Sequence, residues 1–172
     1  MREQHSLDIM ATIGSRRWTF AQVVKAVPYL CSVIRSLRER WLEMQQVQRQ
    51  LWLMDARPGR PNRQALLRRP AAGWEVELAQ KRFEETLDEL TNLEVYCIDA
   101  VRGLALIPFR KREKPAWIFL DLFAPQPLAG WRFHADPVET VRPLAEIEQD
   151  RIRAMDVIFA SGARPGNEPG PG

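Results

Sequence analysis

Apolar side chains recur at alternating steps of four and three residues through the first third of the chain. The series is Leu30, Ile34, Leu37, Trp41, Met44 and Leu51, with Gln48 in its one polar slot. This spacing predicts a helix with a heptad seam along one face. Upstream, in the stretch WTFAQVVKAVPYL, Thr19 and Gln22 have the spacing of a capping box, so the helix is predicted to begin there. Because proline removes a backbone donor, Pro28 is predicted to divide the helix into a short and a long piece.

A second apolar series of the same spacing follows after roughly twenty residues. It is Val76, Ala79, Phe83, Leu87, Leu90 and Leu93. The stretch between the two series is predicted to be a loop with at most a helical turn at RQALLRR. Two amphipathic helices joined by one loop pack most simply as an antiparallel hairpin, in which each helix covers the apolar stripe of the other.

Past Leu93 the pattern changes to short apolar runs separated by turn-forming residues. The runs are VYCID, GLALIPF, AWIFLDLF and GWRFH. They predict an antiparallel β-meander of three or four strands. The predicted fold class is therefore α+β: a long helical hairpin, kinked at Pro28, followed by a small sheet.

The domain boundaries follow from the same patterns. Residues 16–144 are predicted to form a single domain, with a C-terminal helix over residues 145–160 as a further element. Residues 1–15 are expected to be a flexible extension. The composition of residues 161–172, SGARPGNEPGPG, predicts a disordered tail.

Composition excludes several classes of protein. The chain has 172 residues, of which 45% are hydrophobic and 27% charged, as in an ordinary globular domain. It lacks an apolar run long enough to cross a bilayer and an N-terminal secretion signal, so we expect a cytoplasmic protein. Cys31 and Cys97 lie among apolar neighbours and are interpreted as buried thiols. Neither His5 nor His134 lies in a metal-binding pattern, and no cofactor is expected.

Five arginines with no acidic residue between them form the basic feature of the chain. They are Arg57, Arg60, Arg63, Arg68 and Arg69. With Trp52 and Trp74 on either side, this predicted loop could contact phosphates and stack bases. A solvated loop is the more common outcome for such a stretch, so weak nucleic-acid binding stands as an alternative hypothesis.

Acid–base chemistry would have to use the carboxylates and the imidazole of the strand region. The candidates are Asp99, Asp121, His134 and Asp136. No spacing brings them together, so the sequence predicts a protein that is not an enzyme. Ligand binding or catalysis at the sheet is the hypothesis ranked last.

The leading hypothesis is an interaction or scaffold module that self-associates or binds a protein partner through the helical hairpin. The candidate partner surface is the centre of the first seam, formed by Leu30, Ile34, Leu37, Trp41 and Met44. A heptad seam with a central tryptophan is typical of helix pairing surfaces.

The order of these motifs resembles an uncharacterised bacterial family, the domain of unknown function twenty-two-zero-three, sometimes described as division-initiation related. The positions that match its motifs are Thr19, Pro28, Leu30, Asp99, Gly103, Leu104, Pro108, Trp131, Pro143 and Leu144. The cysteine, glutamate, histidine and acidic positions of the family's final motif hold Leu120, Pro125, Arg132 and Phe133. The resemblance implies a helical hairpin joined to a small sheet and supplies no activity.

Overall fold

Two long helices, a four-stranded sheet and a short C-terminal helix make up the described part of the chain. The computed structural model describes residues 18–56, 63–137 and 139–149. The helices are α1 (Phe20–Asp55), α2 (Arg63–Asn92) and a short α3 at residues 145–149, and the strands are β1 (Tyr96–Asp99), β2 (Leu104–Lys111), β3 (Lys114–Asp121) and β4 (Leu128–Phe133). The strands are antiparallel in the order β1-β2-β3-β4. This is the predicted α+β arrangement. The predictions for residues 1–15, 150–160 and 161–172 lie outside the described residues.

The first helix starts where the sequence places it and then runs without interruption. The Thr19 hydroxyl accepts from the backbone N–H of Gln22, and the Gln22 side chain accepts from the backbone N–H of Thr19, which completes the capping box. Pro28 lies inside the continuous helix, so its predicted division into two pieces is wrong. Because Pro28 has no backbone N–H, the carbonyl of Val24 lacks its helical hydrogen bond. Val24 is 48% exposed, so water can replace that bond.

The second helix begins at Arg63, well before the seam that predicted it. The predicted loop of roughly twenty residues is therefore wrong, because RQALLRRP and the residues after it are helical. Pro70 lies within this helix as well. The carbonyl that it leaves without a donor belongs to Leu66, which is 56% exposed, and the surrounding alanines, leucines and arginines are strong helix formers.

The seam of α1 faces the interior of its own chain. Leu30, Ile34 and Leu37 are fully buried, and Met44 is buried farther along the helix. Trp41 is half-buried against Phe83 of α2, with the ring centroids 5.3 Å apart. Four of the five residues predicted from the sequence to form a partner surface are thus buried inside the protomer, and Trp41 is half-buried. The sheet and α2 together need an apolar face to pack on, and the strongest stripe of α1 supplies it.

The inner face of the sheet packs on the helices and forms the hydrophobic core with them. The outer face lies on the other side of the sheet, outside this core. Inner residues include Ile107 of β2, Ile118 of β3 and Trp131 of β4, which share one core cluster with Leu30 and Leu90. Outer residues alternate with them along each strand, as the two-residue period of a strand requires.

The turn between β1 and β2 depends on Gly103. This residue has φ +64°, and a Cβ placed on it would lie 2.6 Å from the Cβ of Leu122. We expect Gly103→Ala to lower the free energy of unfolding by about 2 kcal/mol, as strained left-handed positions do. Urea denaturation followed by circular dichroism measures the loss.

Gly73 is the matched control for that substitution. It lies within α2, and a Cβ placed there meets nothing within 4 Å. Gly73→Ala should therefore raise the free energy of unfolding by about 0.5–1 kcal/mol through helix propensity alone. Equal effects of the two alanines would contradict the conformational role of Gly103.

Candidate interaction surface

The distal part of the hairpin exposes an apolar stripe on α2. It is formed by Leu67, Ala71, Trp74 and Leu78, spaced by four, three and four residues, and is called the α2 stripe below. Leu67 is 70% exposed, Trp74 68% and Leu78 40%. Single exposed apolar residues are common on proteins, but an aligned series at heptad spacing has the form of a helix-pairing seam.

Two ion pairs show which part of α1 lies alongside α2 at this stripe. Arg69 meets Asp55 at 3.0 Å and Arg82 meets Glu43 at 3.2 Å. The α1 segment between Glu43 and Asp55 therefore lies at the level of the α2 stripe. That segment exposes Trp52 and Leu53 near its end, so both helices present apolar side chains at the distal end of the hairpin.

Charged side chains border the α2 stripe in a regular pattern. Arg68 and Glu75 stand at equivalent heptad positions on one side, and Arg63 and Glu84 stand on the other. All four residues are exposed. Charges beside a heptad seam determine the orientation in which two helices pair. These four charges therefore indicate how a partner helix would be oriented.

Sequence reasoning misses the α2 stripe although its spacing is visible in the sequence. The stretch RQALLRRPAAGW contains Pro70 and Gly73, and these residues favour the prediction of a loop. Once the stretch is helical, Leu67, Ala71 and Trp74 lie on one face, which a loop assignment does not show.

The five arginines of the nucleic-acid hypothesis do not share one loop. Arg63, Arg68 and Arg69 lie on α2, and Arg69 is engaged with Asp55. Arg57 and Arg60 lie outside the described residues. Helical geometry spreads Arg63, Arg68 and Arg69 around the axis, because residues at these spacings do not all share one face.

The acid–base candidates serve local structure. Asp99 accepts from the backbone N–H of Arg102, and Asp121 accepts from that of Phe123. Asp136 accepts from the backbone N–H of Phe133 and pairs with Arg142 at 3.1 Å. The His134 ring packs edge-on against Trp117. Within the described residues, no group of three histidine, cysteine or acidic side chains could hold a metal ion.

Neither thiol is suited to nucleophilic chemistry. Burial, with a smaller contribution from the Asp99 charge, raises the pKa of the Cys97 thiol to about 11. Burial also raises the pKa of Cys31. A thiol reacts through its thiolate, so both cysteines are held in the less reactive form at neutral pH.

The raised thiol pKa of Cys97 predicts slow alkylation of the folded protein. At pH 8, the Cys97 thiolate should be roughly 100-fold scarcer than in the unfolded chain, and iodoacetamide should modify it correspondingly more slowly. Folding raises the pKa of Cys97, so the contribution of its neutral thiol to the free energy of unfolding is complete below the unfolded pKa. This contribution is lost as the pH rises toward 11. Peptide mapping in buffer and in urea measures the two rates, and equal rates would contradict the burial of Cys97.

No family model, curated protein or solved structure matches this chain. The resemblance to the uncharacterised bacterial family therefore stays a prediction. In the described part of the chain, no helix is long and apolar enough to span a bilayer.

The positions that carry that resemblance have structural roles in this fold. Thr19 caps α1, Gly103 makes the turn before β2, and Leu104 begins β2. Trp131 is 1% exposed in the core, and its indole N–H donates to the carbonyl of Pro143 over 3.1 Å. Leu30 is buried, and Pro28 is exposed within α1.

Proposed function

We propose that this protein is a non-enzymatic interaction module that self-associates through its helical hairpin, and that the pairing surface is the α2 stripe. The supporting observation is the exposure of Trp74 and Leu67 on a helix face with heptad spacing. The surface differs from the α1 seam, since that seam is buried in the protomer.

A second copy is the occupant that the residue pattern favours. If two α2 helices pair antiparallel about a twofold axis near residues 72 and 73, Leu67 faces Leu78 of the other copy. Ala71 then faces Trp74 of the other copy, so a small residue leaves room for a large one. Twofold symmetry repeats each contact, so one stripe covers the other.

The bordering charges favour the antiparallel orientation. In that arrangement Arg68 lies beside Glu75 of the second copy, and Arg63 lies beside Glu84 of the second copy. A parallel pairing would instead bring Arg63 near Arg68 of the other helix. It would also bring Glu77 near Arg82, but Arg82 already pairs with Glu43 of its own chain. Opposite charges beside the seam stabilise one orientation and like charges disfavour the other.

The test is the mass of the particle in solution. Light scattering on a size-exclusion column should show a dimer for the wild-type protein. Trp74→Glu places a charge in the centre of the stripe and should raise the dimer dissociation constant by about 100-fold or more, as at other tryptophan hot spots. Gln46→Glu, which adds the same charge at an exposed position of α1 away from the stripe, should leave the dimer unchanged.

A charge exchange tests the orientation independently. Arg68→Glu should weaken the dimer, and the double variant Arg68→Glu/Glu75→Arg should restore it. A monomeric wild-type protein, or a dimer that Trp74→Glu leaves intact, would refute self-association through this stripe. A failure of the double variant to recover would refute the antiparallel arrangement.

A further inference from the structure

The outer face of the sheet presents a cluster of aromatic and cationic side chains. Tyr96, Trp117 and His134 form a continuous row, in which the outer two rings are each nearly perpendicular to Trp117 at centroid distances of 5.6 and 5.5 Å. Phe119 lies on the same face, beside Leu106 of β2. The helices of the described chain pack on the opposite face, where the core cluster lies.

The accessible parts of this row are the rings at its sides. Trp117 is only 5% exposed because its neighbours cover it. Tyr96, Phe119 and His134 are half-buried, so each keeps accessible surface while its position is fixed by packing. Rigid, partly exposed aromatic rings on a sheet are suited to stacking against flat ligands.

Cationic groups accompany the aromatic rings. Arg132 of β4 is paired with Trp117 in the sheet, and its guanidinium lies 5.8 Å from the centroid of Phe119. Arg132 is 9% exposed, donates to the carbonyl of Asp136, and has a buried Nε with no hydrogen-bond partner. An unsatisfied donor of this kind costs free energy and calls for an explanation.

The turn between β2 and β3 adds further positive charge at one end of the face. Arg110 continues the outer row of β2 and Arg112 follows it in the turn, and both residues are exposed. Glu113 pairs with Arg110 at 2.7 Å and is the acidic residue within this turn. Positive charge next to a stacking surface is complementary to a chain with anionic phosphates and flat bases.

We propose that the outer face of the sheet binds single-stranded nucleic acid, with bases on Tyr96, Phe119 and His134 and phosphates toward Arg110 and Arg112. The face is open. The cavity beside it has a volume of about 380 Å³, is bordered by Pro115, Phe133 and His134, and is too open to enclose a small molecule. Small-molecule sites are concave and bury most of their ligand, whereas a strand of nucleic acid can lie along an open face. This proposal is independent of self-association.

Fluorescence anisotropy with labelled oligo(U) and oligo(dT) tests the proposal. At low salt both probes should bind, and duplex DNA should bind at least tenfold more weakly because its bases are stacked away. Tyr96→Leu and Phe119→Leu remove a stacking ring while keeping an apolar side chain, and each should weaken binding about tenfold or more. Phe123→Leu is the matched control, since it removes an exposed aromatic ring from a loop outside the row.

Two further results separate this site from others. The Arg57→Gln/Arg60→Gln variant should leave the affinity unchanged, and a loss there would place binding at the segment between the long helices and overturn the proposal. Arg110→Gln should lower the slope of log affinity against log salt by about 0.7 for one lost phosphate contact. No binding at low salt, or equal binding by wild type and the folded Tyr96→Leu variant, would also overturn it.

Discussion

Leu37→Glu is expected to unfold the protein. Leu37 is 0% exposed and shares the core cluster with Leu90 and Ile107. A carboxylate at this position would lose its hydration among the apolar residues of this cluster. An uncompensated buried charge and the lost apolar packing together should cost about 4 kcal/mol or more, which is much of the stability of a small domain. Thermal melting followed by circular dichroism measures this loss.

Leu42→Glu is the matched control for this prediction. Leu42 is on the same helix and is 40% exposed, so a carboxylate there remains hydrated. Its effect on the free energy of unfolding should stay within about 0.5 kcal/mol. A Leu37→Glu variant that melts like wild type but no longer dimerises would show that the first seam is a partner surface, contrary to the structure.

Trp131→Ala is expected to give the second large loss of stability. The Trp131 ring packs edge-on against Phe109 and Phe133, with centroid distances of 6.2 and 4.9 Å. The Lys111 ammonium lies 4.0 Å from the ring centroid, and Lys111 is itself 9% exposed. Truncation leaves a cavity, removes the hydrogen bond to Pro143, and deprives a buried cation of its aromatic neighbour. The free energy of unfolding should fall by about 4 kcal/mol.

A phenylalanine at the same position separates these contributions. Trp131→Phe keeps an aromatic ring in the core and loses the indole N–H, so it should cost about 1–2 kcal/mol. Urea denaturation of both variants and wild type provides the comparison. If alanine and phenylalanine cost the same, the cavity and the contact with Lys111 contribute little, and the packing role of Trp131 is refuted.

The two proposed surfaces occupy separate parts of the molecule. The α2 stripe lies on the distal hairpin, and the aromatic row lies on the outer face of the sheet. Trp74→Glu should therefore change the particle mass without removing oligo(U) binding by each chain. Conversely, Tyr96→Leu should change oligo(U) binding without changing the particle mass. Each proposal can fail while the other stands.

Much of the fold follows from local pattern. Thr19 and Gln22 predict the capping box, and the series through Leu30, Ile34 and Leu37 predicts the buried face of α1. The apolar runs after Leu93 predict the strands. These features depend on side-chain periodicity and on hydrogen bonds between residues close in sequence, so they are visible without the fold.

The prolines and the distal helix are harder to predict. Proline disfavours a helix interior in general, but Pro28 and Pro70 are tolerated in this protein because the carbonyls that lose their donors belong to exposed turns. The start of α2 at Arg63 is missed for the same reason. The free-energy cost of a proline in a helix depends on whether water reaches the carbonyl four residues before it. That exposure is a property of the folded molecule.

The start of α1, the strands and their order, and the most apolar stripe of each helix are predictable from local periodicity. Which stripe is buried inside the protomer and which remains exposed depends on how the helices and the sheet pack together. The α1 seam became core because the sheet packs against it, while Leu67 and Trp74 lie on a face that the described chain leaves exposed. The aromatic row was likewise set by strand pairing, which brings Tyr96, Trp117 and His134 together from three segments. Contacts between distant segments depend on which surfaces compete for burial, and a pattern within one segment does not contain that competition.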